Sequence, residues 1–357
     1  MMFAMKVFSE YDILYMRRCL QLARCGNGST SPNPMVGAVI VSEGRIIGEG
    51  YHIRAGEPHA EVNAVNSVKE CDRHLLSSST IYVSLEPCSH YGKTPPCCDL
   101  IIAKGIKRVV IATTDFNVQV NGGGIERMRA AGIDVEVGLL EGESFRLNEA
   151  FFKFHQENRP FVTLKWAQTA DGFVDYVREG GEALRISTPL SALAVHKLRA
   201  SHDAIMVGRR TAMLDNPSLD IRHWAGRRPL RLVLDRKGVL PLSLKLFSDG
   251  YPTTVFTSPE NRVQYPVTVE RVVLDFGKDI IPQVLEYLRS RKLNSLLVEG
   301  GPCLLQSFID SSLWDVARVE TCGCHEIGSG VPAPVLPVSN VVEHKVLAGN
   351  EVVVYRR

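Results

Sequence analysis

The chain has 357 residues, of which 45% are hydrophobic and 22% are charged, a composition that is ordinary for globular proteins and excludes a disordered or fibrous chain. At roughly 150 residues per domain, this length predicts two domains. The net charge is only +2, and the basic residues are scattered, so charge does not indicate a nucleic-acid-binding or membrane-surface protein.

The first half of the sequence alternates predicted helices and strands. The predicted elements are a helix around 13–23, a hairpin of strands 36–41 and 45–47, a helix over 59–69, a strand over 80–85, a helix over 97–104, a strand over 108–113, a helix over 125–131 and a strand over 133–137. This alternation predicts a mostly parallel sheet with helices on both faces.

A predicted helix over 141–155 ends at Asn158-Arg159-Pro160 and separates the two halves. We therefore predict one domain over 1–149, the end of a linking helix over 150–158 and a second domain over 159–357. The second half predicts strands at 161–166, 204–208, 231–235, 254–257, 272–276, 295–298 and 352–355, and helices at 191–200 and 281–291. It is expected to form a second α/β unit with its own core.

The expected compartment is the cytoplasm. No apolar run reaches transmembrane length, and the first ten residues do not have the pattern of a secretory signal. The nine cysteines are an odd number spread over a long chain, which argues against a disulfide framework.

Three residues have the chemistry and order of a zinc site. His59, Cys88 and Cys97 offer nitrogen and sulfur ligands, and three protein ligands leave one position of a tetrahedral zinc ion for water. Zinc makes that water a nucleophile, and Glu61, which is not a ligand, can move its proton. The order H-x-E, P-C, C is typical of zinc nucleobase deaminases. His59 and Glu61 point apart on a regular helix, so they can share a site only at the start of the helix or from opposite sides of the ion.

Other interpretations of these residues remain open. A structural zinc site needs a fourth ligand, for which His90 and Cys98 are candidates. Cys88 and Cys97 could instead be buried core thiols beside a coincidental His-x-Glu triplet. We favour catalytic zinc, because all the elements of the deaminase signature occur together and in order.

The second half carries weaker motifs. Residues 298–302, Val-Glu-Gly-Gly-Pro, follow a predicted strand and open a helix, which is compatible with a bound phosphate and equally with a tight turn. Thr211, Asp215 and Arg222 belong to a polar loop after a strand, where α/β sheets often bind ligands. Residues 322–325, Cys-Gly-Cys-His, are interpreted as strand and loop residues with incidental thiols, since no partner cysteines lie nearby in sequence.

Four segments together carry a resemblance to a known family. They are Asn33-Pro34-Met35-Val36-Gly37, Gly56-Glu57-Pro58-His59-Ala60-Glu61, residues 85–97 with eight residues between the two cysteines, and Asp115-Phe116-Asn117. With these segments the chain resembles, over essentially its whole length, the bifunctional pyrimidine deaminase/reductase family of riboflavin synthesis. Deaminases of nucleosides or nucleic acids usually have two residues between the cysteines, so the wider spacing favours this family.

The resemblance implies an α/β fold with a cytidine-deaminase-like three-layer domain followed by a dihydrofolate-reductase-like domain. It implies one Zn²⁺ per chain, held by His59, Cys88 and Cys97, with Glu61 as the catalytic residue. The implied substrate is 2,5-diamino-6-ribosylamino-4(3H)-pyrimidinone 5′-phosphate, which is deaminated hydrolytically before NADPH reduces its ribosyl group to ribityl. The family further implies a homo-oligomer that assembles through the reductase domain.

The resemblance also implies binding residues by position. In the deaminase domain the implied substrate residues are Asn33, His52, Lys93, Asp115 and Asn117. In the reductase domain the implied cofactor residues are Ala167, Arg185, Thr211, Asp215 and Gly301, and the implied substrate residues are Lys165, Arg199, Leu219, Arg222 and Glu299. The chain departs from the family pattern at Phe116, where proline is usual, and at Ala183 and Arg185, where serine and tryptophan are frequent. Arg185 is therefore expected to contact a cofactor phosphate, instead of stacking as a flat aromatic side chain would.

Three rival functions remain at this point. The first is a deaminase whose second domain is catalytically silent and serves only for dimerisation. The second is a structural-zinc protein that binds a nucleotide or a protein partner without catalysis. The third, a nucleic-acid deaminase, is disfavoured by the low net charge and the wide cysteine spacing.

Overall fold

Two separate β-sheets organise the chain, one in the residues up to Asn158 and the other in those from Arg159 onward. The computed structural model describes residues 8–91, 95–115 and 122–357. Within that part of the chain, no helix is both long and apolar enough to cross a membrane.

The first unit alternates helices and strands. Its elements are α1 (Glu10–Arg24), β1 (Gly37–Ser42), β2 (Arg45–Tyr51), α2 (Ala60–Ser67), a 3-10 helix (Glu70–Ser78), β3 (Thr80–Leu85), α3 (Cys97–Ala103), β4 (Arg108–Thr113), α4 (Gly123–Ala130), β5 (Asp134–Val137), α5 (Glu141–Leu147) and α6 (Glu149–Glu157). The sheet order is β2-β1-β3-β4-β5; β1 pairs antiparallel with β2 and β3, and β3, β4 and β5 are parallel.

Helices cover both faces of this sheet, which gives three layers. On one face α2, α3 and α4 pack on the sheet through residues such as Ala64, Ile101 and Met128. On the other face α1 packs through Met16 and Cys19. α1 begins with a capping box, in which the Ser9 hydroxyl accepts from the Asp12 N–H and the Asp12 carboxylate accepts from the Ser9 N–H.

The second unit has a larger sheet. Its elements are β6 (Phe161–Thr169), β7 (Phe173–Asp175), α7 (Pro189–Ala200), β8 (Ala204–Val207), α8 (Arg209–Asp215), β9 (Leu230–Leu234), α9 (Lys245–Ser248), β10 (Thr253–Thr257), β11 (Val269–Val273), α10 (Ile280–Ser290), β12 (Ser295–Glu299), α11 (Pro302–Asp310), β13 (Val316–Cys322), β14 (Val331–Pro332), β15 (Asn340–Leu347) and β16 (Asn350–Arg356). The order is β11-β10-β9-β8-β12-β6-β13-β16-β15, parallel from β11 to β13 and antiparallel at β16 and β15; β7 and β14 form a separate pair.

Side chains of the central strands alternate between the two faces of this sheet. Leu164 of β6 and Val298 of β12 belong to a core that also contains α10 and α11. Their chain neighbours Lys165 and Glu299 stand side by side in the register of β6 and β12, and the pleat directs them to the opposite face. α8 and α9 pack on that face in a second hydrophobic core, so Lys165 and Glu299 lie beside a part of the sheet that helices cover.

The structure corrects three sequence predictions. The helix expected over 141–155 is divided into α5 and α6, because Asn148 leaves helical geometry. The Asn148 side chain instead accepts a hydrogen bond from the Met35 backbone N–H at 2.7 Å and donates one to the Met35 C=O at 2.8 Å. The strand expected at 272–276 lies three residues earlier, as β11; Leu274 and Phe276 pack in the core beyond the strand. The first sheet is mixed instead of mostly parallel, because β1 is antiparallel to both neighbours.

Candidate active sites

The predicted zinc ligands come together in the first unit. The imidazole Nδ1 of His59 lies 3.6 Å from the Cys88 sulfur and 3.4 Å from the Cys97 sulfur. Zinc bonds of about 2.3 Å to sulfur and about 2.0 Å to nitrogen at a tetrahedral angle separate the sulfur and nitrogen atoms by roughly 3.5 Å. The three donor atoms therefore have the types and the spacing that one zinc ion requires.

Helix starts position two of these ligands. His59 is the N-cap of α2, with extended geometry (φ −71°, ψ 165°), and Cys97 is the first residue of α3. Because His59 lies just before the first turn of the helix, its side chain can face the same site as Glu61, whereas on a regular helix the two side chains would point apart. The backbone N–H of Cys97 donates to the Cys88 sulfur at 3.3 Å, a contact that favours a thiolate at Cys88.

Electrostatics at the cluster favour a thiolate at Cys88, whereas the hydrogen bond with Cys88 and then burial raise the pKa of the Cys97 thiol. Hydrogen bonding from the Cys97 thiol and from His59 outweighs burial and lowers the pKa of Cys88 to about 4. Burial, followed by the charge of Cys88, raises the pKa of Glu61, whose buried carboxyl makes a hydrogen bond with Cys97. A carboxyl with a raised pKa beside the ligand set has the properties of a group that takes up and returns a proton.

Within the described residues the cluster has three protein ligands and no fourth. His90 is exposed, and Cys98 points into the hydrophobic core of the first unit, so neither joins the donor atoms of His59, Cys88 and Cys97. A three-ligand set is the arrangement of catalytic zinc, in which the fourth position is open.

Asn33 and His52 form a hydrogen-bonded chain that leads toward the zinc ligands. The His52 Nδ1 lies 3.2 Å from the Pro58 carbonyl, which can only accept, so Nδ1 carries the proton. The other ring nitrogen, Nε2, then accepts from the Asn33 side-chain amide at 3.1 Å. Burial lowers the pKa of His52, in agreement with this neutral form. Pro58 is the residue before His59, so the chain fixes both side chains next to the ligand set.

The loop residues expected to bind substrate are only partly described. Asp115 is buried just beyond the end of β4. Lys93 and Asn117, together with Phe116, lie outside the described residues.

In the second unit a cleft of about 1200 Å³ opens at the carboxyl ends of β6, β8, β9 and β12. Ligands of parallel sheets commonly bind at this edge. All but one of the ten residues predicted for the reductase domain line it, namely Lys165, Ala167, Arg185, Arg199, Thr211, Asp215, Leu219, Glu299 and Gly301. Arg222 is not among the lining residues; it is exposed and pairs with Asp220 at 2.8 Å.

An ion-pair cluster stands at one side of this cleft. Arg199 of α7 donates to both carboxylate oxygens of Glu299, at 2.9 and 2.7 Å. Although burial opposes it, this pairing lowers the pKa of Glu299. Lys165 stands beside Glu299 on the next strand, and burial lowers its pKa despite Glu299 and Glu320. The cluster thus presents a partly desolvated amine beside a fixed carboxylate.

Two glycines directly after Glu299 line the same cleft. Gly300 and Gly301 precede α11 with φ of 70° and 71°, and a Cβ on Gly301 would lie 3.1 Å from the Thr211 hydroxyl oxygen. Only glycine allows the backbone to come this close at such angles. Cationic side chains line the same cleft at Arg185, Arg209, Arg210, Arg236 and Lys237.

Sequence reasoning assigned no role to several side chains around the two sites. Glu86, directly before Pro87, accepts hydrogen bonds from four backbone N–H groups, and Glu320 holds the cleft residue Ser187 at 2.8 Å. Arg178 bridges Asp175 and Asp215. Apart from the place of Glu86 two residues before Cys88, no local motif marks these residues, because each has at least one partner distant in sequence.

The Cys-Gly-Cys-His run does end a strand and enter a turn. Cys322 is the last residue of β13, and its sulfur lies 3.5 Å from that of Cys324. In the described part of the chain, the cluster of His59, Cys88 and Cys97 is the one group of three or more potential metal ligands.

The fold and these two sites define a two-domain enzyme in which a zinc-binding deaminase domain precedes a reductase domain. Residues 9–113 match the family model of the cytidine and deoxycytidylate deaminase zinc-binding region, and residues 160–321 match that of the RibD C-terminal domain. The predicted combination of a cytidine-deaminase-like domain with a dihydrofolate-reductase-like domain is thereby confirmed.

Similarity to known proteins extends over most of the chain. The riboflavin biosynthesis protein RibD of Aquifex aeolicus (strain VF5) is 42% identical over 309 residues, 86% of this chain and 85% of that protein. RibD of Bacillus amyloliquefaciens is 40% identical over 84% of this chain and 81% of its own length. A Thermotoga maritima crystal structure described as a diaminohydroxyphosphoribosylaminopyrimidine deaminase/5-amino-6-(5-phosphoribosylamino)uracil reductase has a TM-score of 0.89 at 38% identity, covering 97% of this chain and 98% of that one. The chain belongs to the RibD family of bifunctional deaminase/reductases in riboflavin biosynthesis.

Proposed function

We propose that the first unit hydrolytically deaminates 2,5-diamino-6-ribosylamino-4(3H)-pyrimidinone 5′-phosphate at one zinc ion. The observation that carries this proposal is the cluster of His59, Cys88 and Cys97 beside the buried carboxyl of Glu61. The name of the Thermotoga maritima enzyme supports the same substrate class. Asn33, His52, Lys93, Asp115 and Asn117 are the proposed substrate-binding residues.

Each group has a defined task in this reaction. Zinc, when bound, lowers the pKa of a water molecule toward neutrality and supplies the nucleophile. Glu61 takes one proton from that water and returns a proton to the departing amino group, so that water is consumed and ammonia is released. The His52 ring is held by the Pro58 carbonyl and carries no proton at Nε2, so it accepts a hydrogen bond from Asn33 and orients that side chain toward the bound pyrimidine.

The test of this proposal is ammonia release by the full chain loaded with zinc. Wild type is expected to release ammonia from the diaminopyrimidine phosphate. Glu61→Gln is expected to reduce the rate about 10²- to 10⁴-fold and to keep its zinc, because it loses the proton carrier and no ligand. Glu70→Gln, at an exposed carboxylate of the 3-10 helix, is the matched control. Full activity of Glu61→Gln would exclude Glu61 as the proton carrier.

We propose that the second unit reduces the ribosyl group of the deaminated product to ribityl with NADPH. The cleft that contains the Lys165, Arg199 and Glu299 cluster carries this proposal. NADPH, when bound, supplies a hydride to the sugar carbon. Arg199 and Lys165 offer positive charge to a phosphorylated sugar, and Glu299 holds Arg199 in place. The proposed cofactor residues are Ala167, Arg185, Thr211, Asp215 and Gly301; Leu219 and Arg222 complete the proposed substrate residues.

NADPH consumption on addition of 5-amino-6-(5-phosphoribosylamino)uracil tests the second activity. We expect oxidation of NADPH in proportion to ribityl product formed, and slower oxidation of NADH, since the cationic cleft side chains favour an additional phosphate. Deamination by a chain that consumes no NADPH would establish instead the alternative of a silent second domain.

We further propose that the enzyme works in the cytoplasm as a homo-oligomer joined through its reductase domain. Reduced cysteines at the zinc cluster fit a reducing compartment. Strand β15, at the edge of the second sheet, exposes Val341, Val342 and Val346, as a subunit interface would. Sedimentation of the full chain as a monomer at micromolar concentration would contradict this assembly.

A further inference from the structure

Glu86 makes an unusual set of hydrogen bonds for a buried carboxylate. One oxygen, Oε2, accepts from the backbone N–H of Asp115 at 3.3 Å and of Gly122 at 3.1 Å. The other, Oε1, accepts from Gly124 at 3.1 Å and Ile125 at 3.4 Å. Four backbone donors thus converge on one side chain. An ionised carboxylate has acceptor sites for all four and no donor to oppose them.

These donors lie on both sides of one chain segment. Asp115 precedes residues 116–121, and Gly122 follows them at the N-cap of α4. Glu86 itself lies between β3 and the zinc ligand Cys88. One carboxylate therefore connects the segment that carries Asp115 to the segment that carries a zinc ligand.

Close backbone packing supports this connection independently. A Cβ added at Gly124 would lie 2.3 Å from the Pro87 carbonyl oxygen, and one added at Gly123 would lie 3.0 Å from the Ser89 hydroxyl. The first turn of α4 is thus held directly against the residues on either side of Cys88. A side chain at Gly124 would force the two segments apart.

We propose that Glu86 is a positioning residue of the deaminase, which sets the distance between Asp115 and the zinc ligands and so determines how tightly substrate binds. This proposed role of Glu86 rests on the proposed deaminase function, in which Asp115 contacts substrate. Glu86 has no part in the chemical step, because its oxygens accept from the backbone. The structure assigns its effect to binding through Asp115, while proton transfer stays with Glu61.

Glu86→Gln is the first test, in the full chain loaded with zinc. The glutamine side chain keeps one acceptor oxygen, but its NH₂ group faces two backbone N–H donors. The hydrogen bonds that hold Asp115 are therefore weakened. We expect KM for the diaminopyrimidine phosphate to rise about tenfold, the equivalent of losing one net hydrogen bond, with kcat changed much less. Zinc content and NADPH-dependent reduction in the same chain are expected to stay at wild-type values.

Asp12→Asn is the matched control for a purely structural effect. Asp12 is also a buried carboxylate that accepts from the backbone, but it lies on α1 and pairs with Arg108. The Asp12→Asn substitution is expected to lower the thermal stability of the first unit and to leave the deaminase KM unchanged. If Glu86→Gln likewise lowers stability without raising KM, Glu86 is merely structural and the proposal is wrong.

Gly124→Ala decides the question if Glu86→Gln fails to fold or to hold zinc. It keeps Glu86 and moves the start of α4 away from Pro87, so KM is expected to rise; Gly142→Ala in α5, where the nearest atom to the new Cβ is the flexible end of Arg146 at 3.6 Å, is its control. An unchanged KM in Gly124→Ala would overturn the proposal. Absence of deamination in wild type would instead overturn the proposed function, and the role of Glu86 with it.

Discussion

In the first unit the groups proposed for chemistry come from two short segments, 59–61 and 88–97, and the ligand atoms of His59, Cys88 and Cys97 lie within 4.8 Å of one another. In the second unit the corresponding side chains come from β6, α7 and β12 and line a cleft of about 1200 Å³. The zinc site is thus defined by two helix starts, and the reductase cleft by the register of parallel strands.

This difference follows from what each reaction requires. A metal ion fixes its ligands to within a few tenths of an ångström, so they must be few, close and correctly ordered. A dinucleotide and a phosphorylated sugar are large and flexible ligands, recognised by many separate contacts. Single substitutions should therefore be decisive in the first site and graded in the second.

The largest effect is expected from Cys97→Ala. Loss of one of three ligands should reduce zinc content far below one per chain and bring ammonia release to background, while NADPH-dependent reduction continues. Metal analysis and the two activity assays on the same preparation check this. Cys98→Ala, at the neighbouring cysteine outside the cluster, is the control and should retain zinc. Equal zinc content in both variants would contradict the ligand assignment.

A graded effect is expected from Glu299→Gln in the reductase cleft. The amide keeps the shape but removes the charge that holds Arg199, so kcat/KM for reduction should fall about 10- to 100-fold, equivalent to about 1.4–2.8 kcal/mol. Ammonia release should be unaffected. Glu326→Gln, at an exposed carboxylate of the second unit, serves as control. A parallel loss of deamination would show that the two sites are not independent.

A smaller effect, on stability alone, is expected from Asn148→Ala. The substitution leaves the half-buried N–H and C=O of Met35 without their side-chain partners, at a cost of about 1 kcal/mol in the free energy of unfolding of the first unit. Denaturant unfolding compared with exposed Asn27→Ala measures it. Identical midpoints for the two variants would show that the break between α5 and α6 does not depend on this amide.

The smallest expected effect is on how the stability of the first unit changes as the pH is lowered. Burial alone would raise the pKa of Asp12, but Arg108, Ser9 and Tyr82 lower it well below its ordinary value. The unfolded chain therefore binds a proton at a higher pH than the folded chain does. The stability due to Asp12 is present above pH about 4 and is lost as pH falls further. Asp12→Asn should be less stable at neutral pH and should lose less stability on acidification than Glu10→Gln; parallel curves would contradict this.

Sequence patterns located most elements and the zinc site because both depend on local order. The strand β3 and the ligand Cys97 each follow from residues within one segment, through apolar runs and helix-start signals. The division at Asn148 could not be predicted, since its cause is Met35, more than one hundred residues away. For the same reason the motifs named Glu86 but not its role, which depends on α4.

In the second unit the outer strands β11 and β15 were harder to predict than β8, β10 and β12, because only the latter are buried along their whole length. The apolar run through Phe276 extends beyond β11, β13 mixes polar with apolar residues, and every residue of β15 except Leu347 is exposed. Most site residues in this unit were predicted from family resemblance alone, and Arg222, which lies away from the cleft lining, is the position where the prediction has least structural support.

We propose that one chain carries two independent activities, deamination and reduction, that act in sequence. Mass spectrometry of the product tests it, after incubation of the zinc-loaded full chain with the diaminopyrimidine phosphate and NADPH. We expect a product in which one amino group is replaced by oxygen and two hydrogens are gained. An unchanged substrate mass with zinc confirmed bound would contradict it, and exchange without the added hydrogens would show that the second unit does not reduce this substrate.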